Sequence, residues 1–430
     1  MSHPISERTV DYLIIGGGLA AATAAETLRT RDDQATILMV TQEDYLPYHR
    51  PPLSKEYLRA EIPAEGIYGE GGIFFKQPQW FDDQRIEIVR SVSAESLDLV
   101  GKTVTLSDGS VVHYLSLLIA TGAQARHLEV PGKDFAGVHV LRTLTDADAI
   151  REELEEGHRV VVVGTGFIGL ETAADAITKK ANVTVVGHAD RFWDSVINKQ
   201  LSQHFQDQFT QRGAILKLGY DVTGFTLGPS DRVASVQITN VADKSITEDI
   251  PCDLVIIGVG TQLNTELARA AGLEIDPQHG IVVDERLETR SAGVFVAGDV
   301  AAYPDAFKGR MHFEHWDNAI ATGQVAAANM SGGDEPYRHI PYFFSDQFDY
   351  SINMLGYAVP QAQTITRGDM ATNTFTAFSV QDGVMVAAFM VNDDAQMDTI
   401  RTLIATQVVI ANPQLLADPA FDLASLVQQS

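Results

Sequence analysis

A chain of 430 residues is long enough for two or three domains, each with its own core. Its formal net charge of −26 sets most of the surface against nucleic acid and anionic membrane, and it has no run of the roughly 20 apolar residues that a membrane span needs. The lone Cys252 excludes an intramolecular disulfide and points to a reducing compartment, the cytoplasm; Met1 to Thr9 carries no pattern of a targeting segment.

In chain order, the first expected element is the apolar run Asp11-Tyr-Leu-Ile-Ile, a strand. It ends at Gly16-Gly-Gly18-Leu-Ala-Ala21 and passes into an Ala-rich helix. Ala35 to Val40 reads as a second strand, followed by a polar, Pro-rich loop through Pro51-Pro52. Leu117 to Ala120 is a strand closed by the turn Thr121-Gly122, and residues 146–157 read as an acidic helix. The strand Arg159 to Val163 then opens Gly164-Thr-Gly166-Phe-Ile-Gly169-Leu-Glu171 and another helix, and Asn182 to Val186 completes the unit. Cys252 to Ile257 is a buried strand ending at Gly258-Val-Gly260, and Ala292 to Ala297 is one that closes on Gly298-Asp299. A helix is expected over His315 to Met330. From Pro336 onward, short alternating segments such as Thr374 to Phe378 and Val384 to Met390 read as an antiparallel sheet with one or two terminal helices.

The two glycine turns carry the chemistry. Each follows a β-branched strand and opens a helix, the setting a dinucleotide fingerprint requires. Glycine lets the backbone approach a pyrophosphate, which the unpaired N–H groups of the helix N-terminus then meet. Two such units in one chain predict two dinucleotides, a flavin and a nicotinamide. The expected fold is α/β, with two Rossmann-like dinucleotide-binding domains, the second inserted in the first, plus a C-terminal α+β domain. The expected limits are 1–125 and 252–334 for FAD, 126–251 for NAD(P)H, and 335–430 for the C-terminal domain.

The motif order resembles the two-dinucleotide-binding-domain flavoproteins that include glutathione reductase. Within them the chain resembles the FAD-dependent ferredoxin and rubredoxin reductases, near monodehydroascorbate reductase and apoptosis-inducing factor. The segments carrying the resemblance are Pro47-Tyr-His-Arg50-Pro-Pro-Leu-Ser-Lys55, Thr121-Gly122, Gly298-Asp299, Glu314-His-Trp316-Asp-Asn-Ala319 and Pro341-Tyr-Phe-Phe-Ser345-Asp-Gln347. The disulfide reductases of this group carry redox-active cysteines after the FAD loop. Arg50 to Leu58 holds none, so electrons are expected to leave directly from the flavin, with Cys252 a small apolar filler.

The resemblance implies the site. Gly16, Gly18 and Ala21 would cradle the FAD pyrophosphate, with Arg50 as its cation and Glu43 (or Asp44 or Gln42) on the adenosine ribose. Thr121 and Gly122 belong to the same cofactor site, and Asp299 would accept from a ribityl hydroxyl. Lys55 would lie beside flavin N5 and Glu171 beside the nicotinamide, each neutralising the other's charge. His315 and Trp316 begin a helix aimed at the flavin, with Trp316 packed on the ring, and Phe344 and Ser345 to Gln347 form another wall. Gly164, Gly166 and Gly169 would hold the nicotinamide dinucleotide, and Gly260 is a further cofactor-binding candidate. Gly169 leans toward NADH, whereas His188 and Arg191 could meet a 2′-phosphate and Asp190 could act as a displaced ribose acid. No metal set is expected, because His312 and His315 lack companions.

The expected activity is hydride transfer from NADH or NADPH to FAD, then delivery of electrons to a small iron–sulfur protein such as a ferredoxin or rubredoxin. The alternatives are reduction of a quinone or of monodehydroascorbate, and an NADH-sensing role like that of apoptosis-inducing factor. No nucleic-acid or membrane partner is expected, and a homodimer is left open. The acidic charge counts against an acidic carrier unless a basic patch rims the flavin.

Overall fold

Each glycine fingerprint ends the central strand of its own parallel sheet, in a computed structural model that describes residues 7–59, 72–359 and 361–427. The first six residues of the stretch read for a targeting segment, and the last three of the chain, lie outside the described residues. The chain divides into two compact units.

The first unit comprises residues 1–50, 62–124 and 262–339. Its parallel strands run in the order Ile86–Val89, Ile37–Val40, Glu7–Ile15, Val111–Ile119, Val294–Val296. Thr103–Leu106 and Ala94–Asp98 extend the sheet antiparallel. The inner strands end in unbroken apolar runs, Leu13 to Ile15, Ile37 to Val40 and Leu117 to Ile119, as expected where both faces are covered. The helices Leu19–Arg31 and Trp316–Met330 pack so closely that a Cβ on Gly323 would stand 2.6 Å from the Ala20 carbonyl oxygen. That contact explains the small residues on both helices.

The second unit comprises residues 51–61, 125–261 and 340–430. Its parallel sheet repeats the first in miniature: Ile215–Leu218, Asn182–Gly187, Arg159–Val163, Leu254–Ile257, Val138–Val140. A three-stranded antiparallel sheet, Tyr220–Leu227, Val233–Asn240 and Thr247–Pro251, shares its core. The C-terminal part is a five-stranded antiparallel sheet in the order Tyr342–Gln347, Tyr350–Gly356, Val384–Val391, Thr374–Gln381, Gln363–Asp369. The helix Met397–Thr406 buries Ile400, Leu403 and Ile404 in the core of that sheet.

Two expectations are corrected. The acidic helix spans Leu144–Glu153 rather than 146–157. Thr143 caps it, accepting from Asp146 N–H while the Asp146 carboxylate bonds back, and the positive φ of Gly157 belongs to a turn beyond its end. The limit at 251/252 assigns the strand Leu254–Ile257 to the FAD segment, yet it pairs with Arg159–Val163 in the second sheet. An all-apolar parallel strand does not reveal by pattern which of two similar sheets it joins. Among the described residues no helix is long and apolar enough to cross a membrane.

Candidate functional site

In the first unit, the carboxyl ends of the parallel strands place the expected FAD residues along one edge, the place where open α/β sheets take ligands. Gly16 follows Ile15 with φ +134°, and a Cβ there would stand 2.1 Å from the Ala120 carbonyl oxygen. Gly18 caps the helix with no side-chain bond, and among the described residues nothing lies within 4 Å of where its Cβ would be. An uncapped helix N-terminus facing open space is what a pyrophosphate cradle needs. Ala21, one turn in, is fully buried.

Around this edge the polar groups are interlocked. Glu43 accepts from Arg50 Nη2 at 2.6 Å and from the Tyr48 hydroxyl at 2.5 Å. Arg50 is thus held against Glu43, and Asp299 also acts on it electrostatically. Asp299 is buried, following Gly298, whose N–H donates to Thr322 Oγ1 at 2.9 Å. Thr121 and Gly122 are fixed by Asn264: Thr121 Oγ1 donates to its carbonyl at 2.7 Å, and its amide donates back to Thr121 O at 2.8 Å. Sequence reasoning missed Asn264, which lies 143 positions away and carries no motif. His315 is the N-cap residue of the helix that Trp316 begins, and burial pushes its imidazole down to about 4. The Trp316 indole N–H donates to His49 Nδ1 at 3.1 Å.

In the second unit, Lys55 and Glu171 meet as an ion pair of 2.8 Å with side chains 4% and 1% exposed. Pro51 and Pro52 start the short 3₁₀ turn that delivers Lys55, with φ already set for it. Glu171 lies one turn into the helix Phe167–Thr178. Its carboxylate also accepts from Ser345 Oγ at 2.6 Å and from Ser54 Oγ. Lys55 Nζ donates to Pro51 O at 3.3 Å and stands 5.7 Å over the Phe344 ring. A buried carboxylate with three donors is the satisfied arrangement that permits two charges to stay inside. Asp346, near the pair, has its carboxyl raised, chiefly by burial.

The second fingerprint reproduces the first. Gly164 has φ +121°, and its Cβ would stand 2.1 Å from the Gly258 carbonyl oxygen. Gly166 is an uncapped helix start with open space above it, and Gly169 admits no Cβ, because the Gly164 oxygen would be 2.4 Å away. Gly260, with φ +96°, faces open space as Gly166 does, while Gly258 packs behind the turn. His188 is bound through Nδ1 to Asp221 at 2.6 Å, and Arg191 Nη2 donates to the Asp194 carbonyl at 2.7 Å. Asp221, which also takes Lys244 at 2.9 Å, was not among the expected residues because it sits in a strand with no motif. Cys252 is buried, and burial pushes its thiol up to about 12, as an inert core residue requires.

The description "pyridine nucleotide-disulphide oxidoreductase" matches residues 10–323, and "reductase C-terminal" matches residues 342–427. The chain belongs to the pyridine nucleotide-disulphide oxidoreductase family. Members of the family use FAD and NAD(P)H, and both uncapped glycine turns fit such groups. The ferredoxin–NAD(+) reductase component of the Burkholderia cepacia anthranilate 1,2-dioxygenase system is 36% identical over 422 residues, covering 97% of this chain and 99% of that one. A ferredoxin reductase from Rhodopseudomonas palustris has the same fold, with a TM-score of 0.89, 33% identity, and coverage of 97% and 100%. The putidaredoxin reductase of a covalent complex with putidaredoxin also has a TM-score of 0.89, at 29% identity and 98% coverage of both chains. Within the family, this chain is a member whose 51–59 segment holds no cysteine.

Proposed function

We propose that this chain oxidises NAD(P)H and passes the electrons to a small iron–sulfur protein of the ferredoxin or rubredoxin type. The observation that carries the reading is the full-length likeness to ferredoxin reductases in a chain with no redox cysteine pair. When bound, FAD accepts a hydride and returns electrons singly. Gly16, Gly18 and Ala21 receive its pyrophosphate, with Glu43, Arg50, Thr121, Gly122, Asp299, His315 and Trp316 around it. Gly164, Gly166 and Gly169 receive the nicotinamide dinucleotide. Lys55 and Glu171 flank the place where hydride passes, a reading supported by their buried, hydrogen-bonded pair. They orient and hold charge; neither needs to move a proton.

NADH is the preferred donor in this reading. Asp221 occupies His188, so a 2′-phosphate would meet an acid already bound to its intended cation. The proposed FAD-binding part is 7–50 and 72–124 with 262–339, the nicotinamide part 125–261, and the C-terminal part 340–427. A single buried cysteine fits a cytoplasmic enzyme.

The test is NADH consumption by the purified yellow protein, with and without a [2Fe–2S] ferredoxin, repeated with NADPH. Consumption should be slow alone and rise steeply with the carrier, at higher kcat/KM for NADH. If quinone accelerates it and ferredoxin does not, the carrier reading is wrong.

A further inference from the structure

One turn beyond Glu171 stands Asp175, a carboxyl for which the hydride-transfer reading has no use. It is 2% exposed. Its Oδ1 takes Arg59 Nη1 at 2.6 Å, while its Oδ2 is buried with no hydrogen-bond partner among the described residues. Arg59 lies four residues past Lys55, as Asp175 lies four past Glu171, and the Arg59 N–H bonds the Lys55 carbonyl at 3.1 Å. The two segments therefore face each other as a ladder with a lysine–glutamate rung at 2.8 Å and an arginine–aspartate rung at 2.6 Å.

A buried carboxylate oxygen without a donor is costly, and a proton on it removes the charge that makes it so. We propose that Asp175 is a positioning residue for hydride transfer: a proton resident on its unpartnered Oδ2 leaves Glu171 as the anion on its helix that pairs with Lys55, and loss of that proton weakens the step. The proton leaves to solvent, and no bond other than the O–H changes. This inference rests on the reading of Lys55 and Glu171 as the pair beside which hydride passes. Hydride brings negative charge, which an ionised Asp175 opposes and a protonated one does not.

The electrostatics of the ladder agree. Burial is the largest influence on Asp175 and raises its carboxyl to about 8, against the pull of Arg59; Glu171 on its own helix raises it further, and Lys55 lowers it. The strand Tyr342–Gln347, packed on the same helix, contributes Asp346, whose carboxyl is also raised by burial and answers to Lys55, Glu56 and Glu171. The site thus sets Lys55 and Arg59 against Glu171, Asp175, Asp346 and the nearby Glu56, and burial raises the carboxyls of Asp175 and Asp346.

The experiment is anaerobic stopped-flow reduction of the holoenzyme by NADH across the pH range around 8, with the holoenzyme's Tm measured on the same samples. Wild type should lose reduction rate on the alkaline side of one inflection, and its Tm should fall through the same range. Asp175→Asn should remove the inflection from both. Arg59→Met keeps the carboxyl and deletes its cation, so the inflection should move up by about one pH unit or more; this shift decides the matter if Asp175→Asn does not fold. An inflection unchanged in either variant overturns the inference. Lys55→Met separates the two levels: if it reduces as fast as wild type, the reading of the Lys55–Glu171 pair fails and takes this inference with it. If it is slow while Asp175→Asn keeps the wild-type inflection, only the role of Asp175 fails.

Discussion

Removing either member of the Lys55–Glu171 pair alone would strand one charge in an interior that excludes water. Breaking a buried pair from one side costs about 3–5 kcal/mol, whereas replacing both partners with neutral groups of similar shape is often close to neutral. Lys55→Met should therefore destabilise the protein by that amount. Adding Glu171→Gln should restore most of it, since the amide can still bond Ser54 and Ser345. Flavin reduction should stay slow in both variants, by about 100-fold, because alignment is lost with the lysine. Urea unfolding beside single-turnover reduction checks the pattern. Equal stability of the single and double variants would show that the pair carries no uncompensated charge. A reduction rate restored in the double variant would reduce the lysine to a counter-ion.

The glycine turns let packing and binding be separated at the level of single elements. Gly169 and Gly18 look alike in the motif, yet they do different work. A Cβ at Gly169 would lie 2.4 Å from a backbone oxygen, so Gly169→Ala must push the helix Phe167–Thr178 off its strand. Gly18 has φ −81° and nothing within 4 Å, so Gly18→Ala fits the protein and intrudes only on what binds there. The first substitution should cost about 1–3 kcal/mol of stability, the range of overpacking. The second should leave the Tm of the apoprotein within a degree or two but weaken FAD retention. Thermal melts and the flavin absorbance of desalted protein distinguish them, and a Gly18→Ala protein that keeps its flavin would place the pyrophosphate elsewhere. The same elements show what the sequence made legible. Both fingerprints, the strand closing on Gly298-Asp299 and the helix opening at Trp316 were readable, because glycine position and apolar period determine them locally. Asn264, Asp221 and the Arg59–Asp175 rung were not. Each owes its place to a contact between distant positions, and nothing in its own neighbourhood marks it. The strand Leu254–Ile257 is legible as a strand, but its sheet is not, because its pairing with Arg159–Val163 joins distant positions.

At the scale of the whole molecule, a net charge of −26 acts on any charged carrier before contact is made. Many of the cations are already committed: Arg50 to Glu43, Lys55 to Glu171, Arg59 to Asp175, Arg212 to Asp349 and Arg286 to Asp284 and Asp334. An acidic ferredoxin approaching such a surface is repelled at long range, and the repulsion extends about 30 Å at 0.01 M salt but only about 8 Å at 0.15 M. Raising the salt over that interval should therefore speed association, and the KM for an acidic ferredoxin should fall while NADH-dependent flavin reduction stays nearly constant. Stopped-flow oxidation of the reduced enzyme by the carrier, measured across the same salt range, tests this. If the rate instead falls steeply with salt, a local basic patch outweighs the global charge at the docking face, since steering by complementary charges is lost on screening. Charge reversal of exposed Lys and Arg residues, one at a time, would then locate that patch by which substitution flattens the salt dependence.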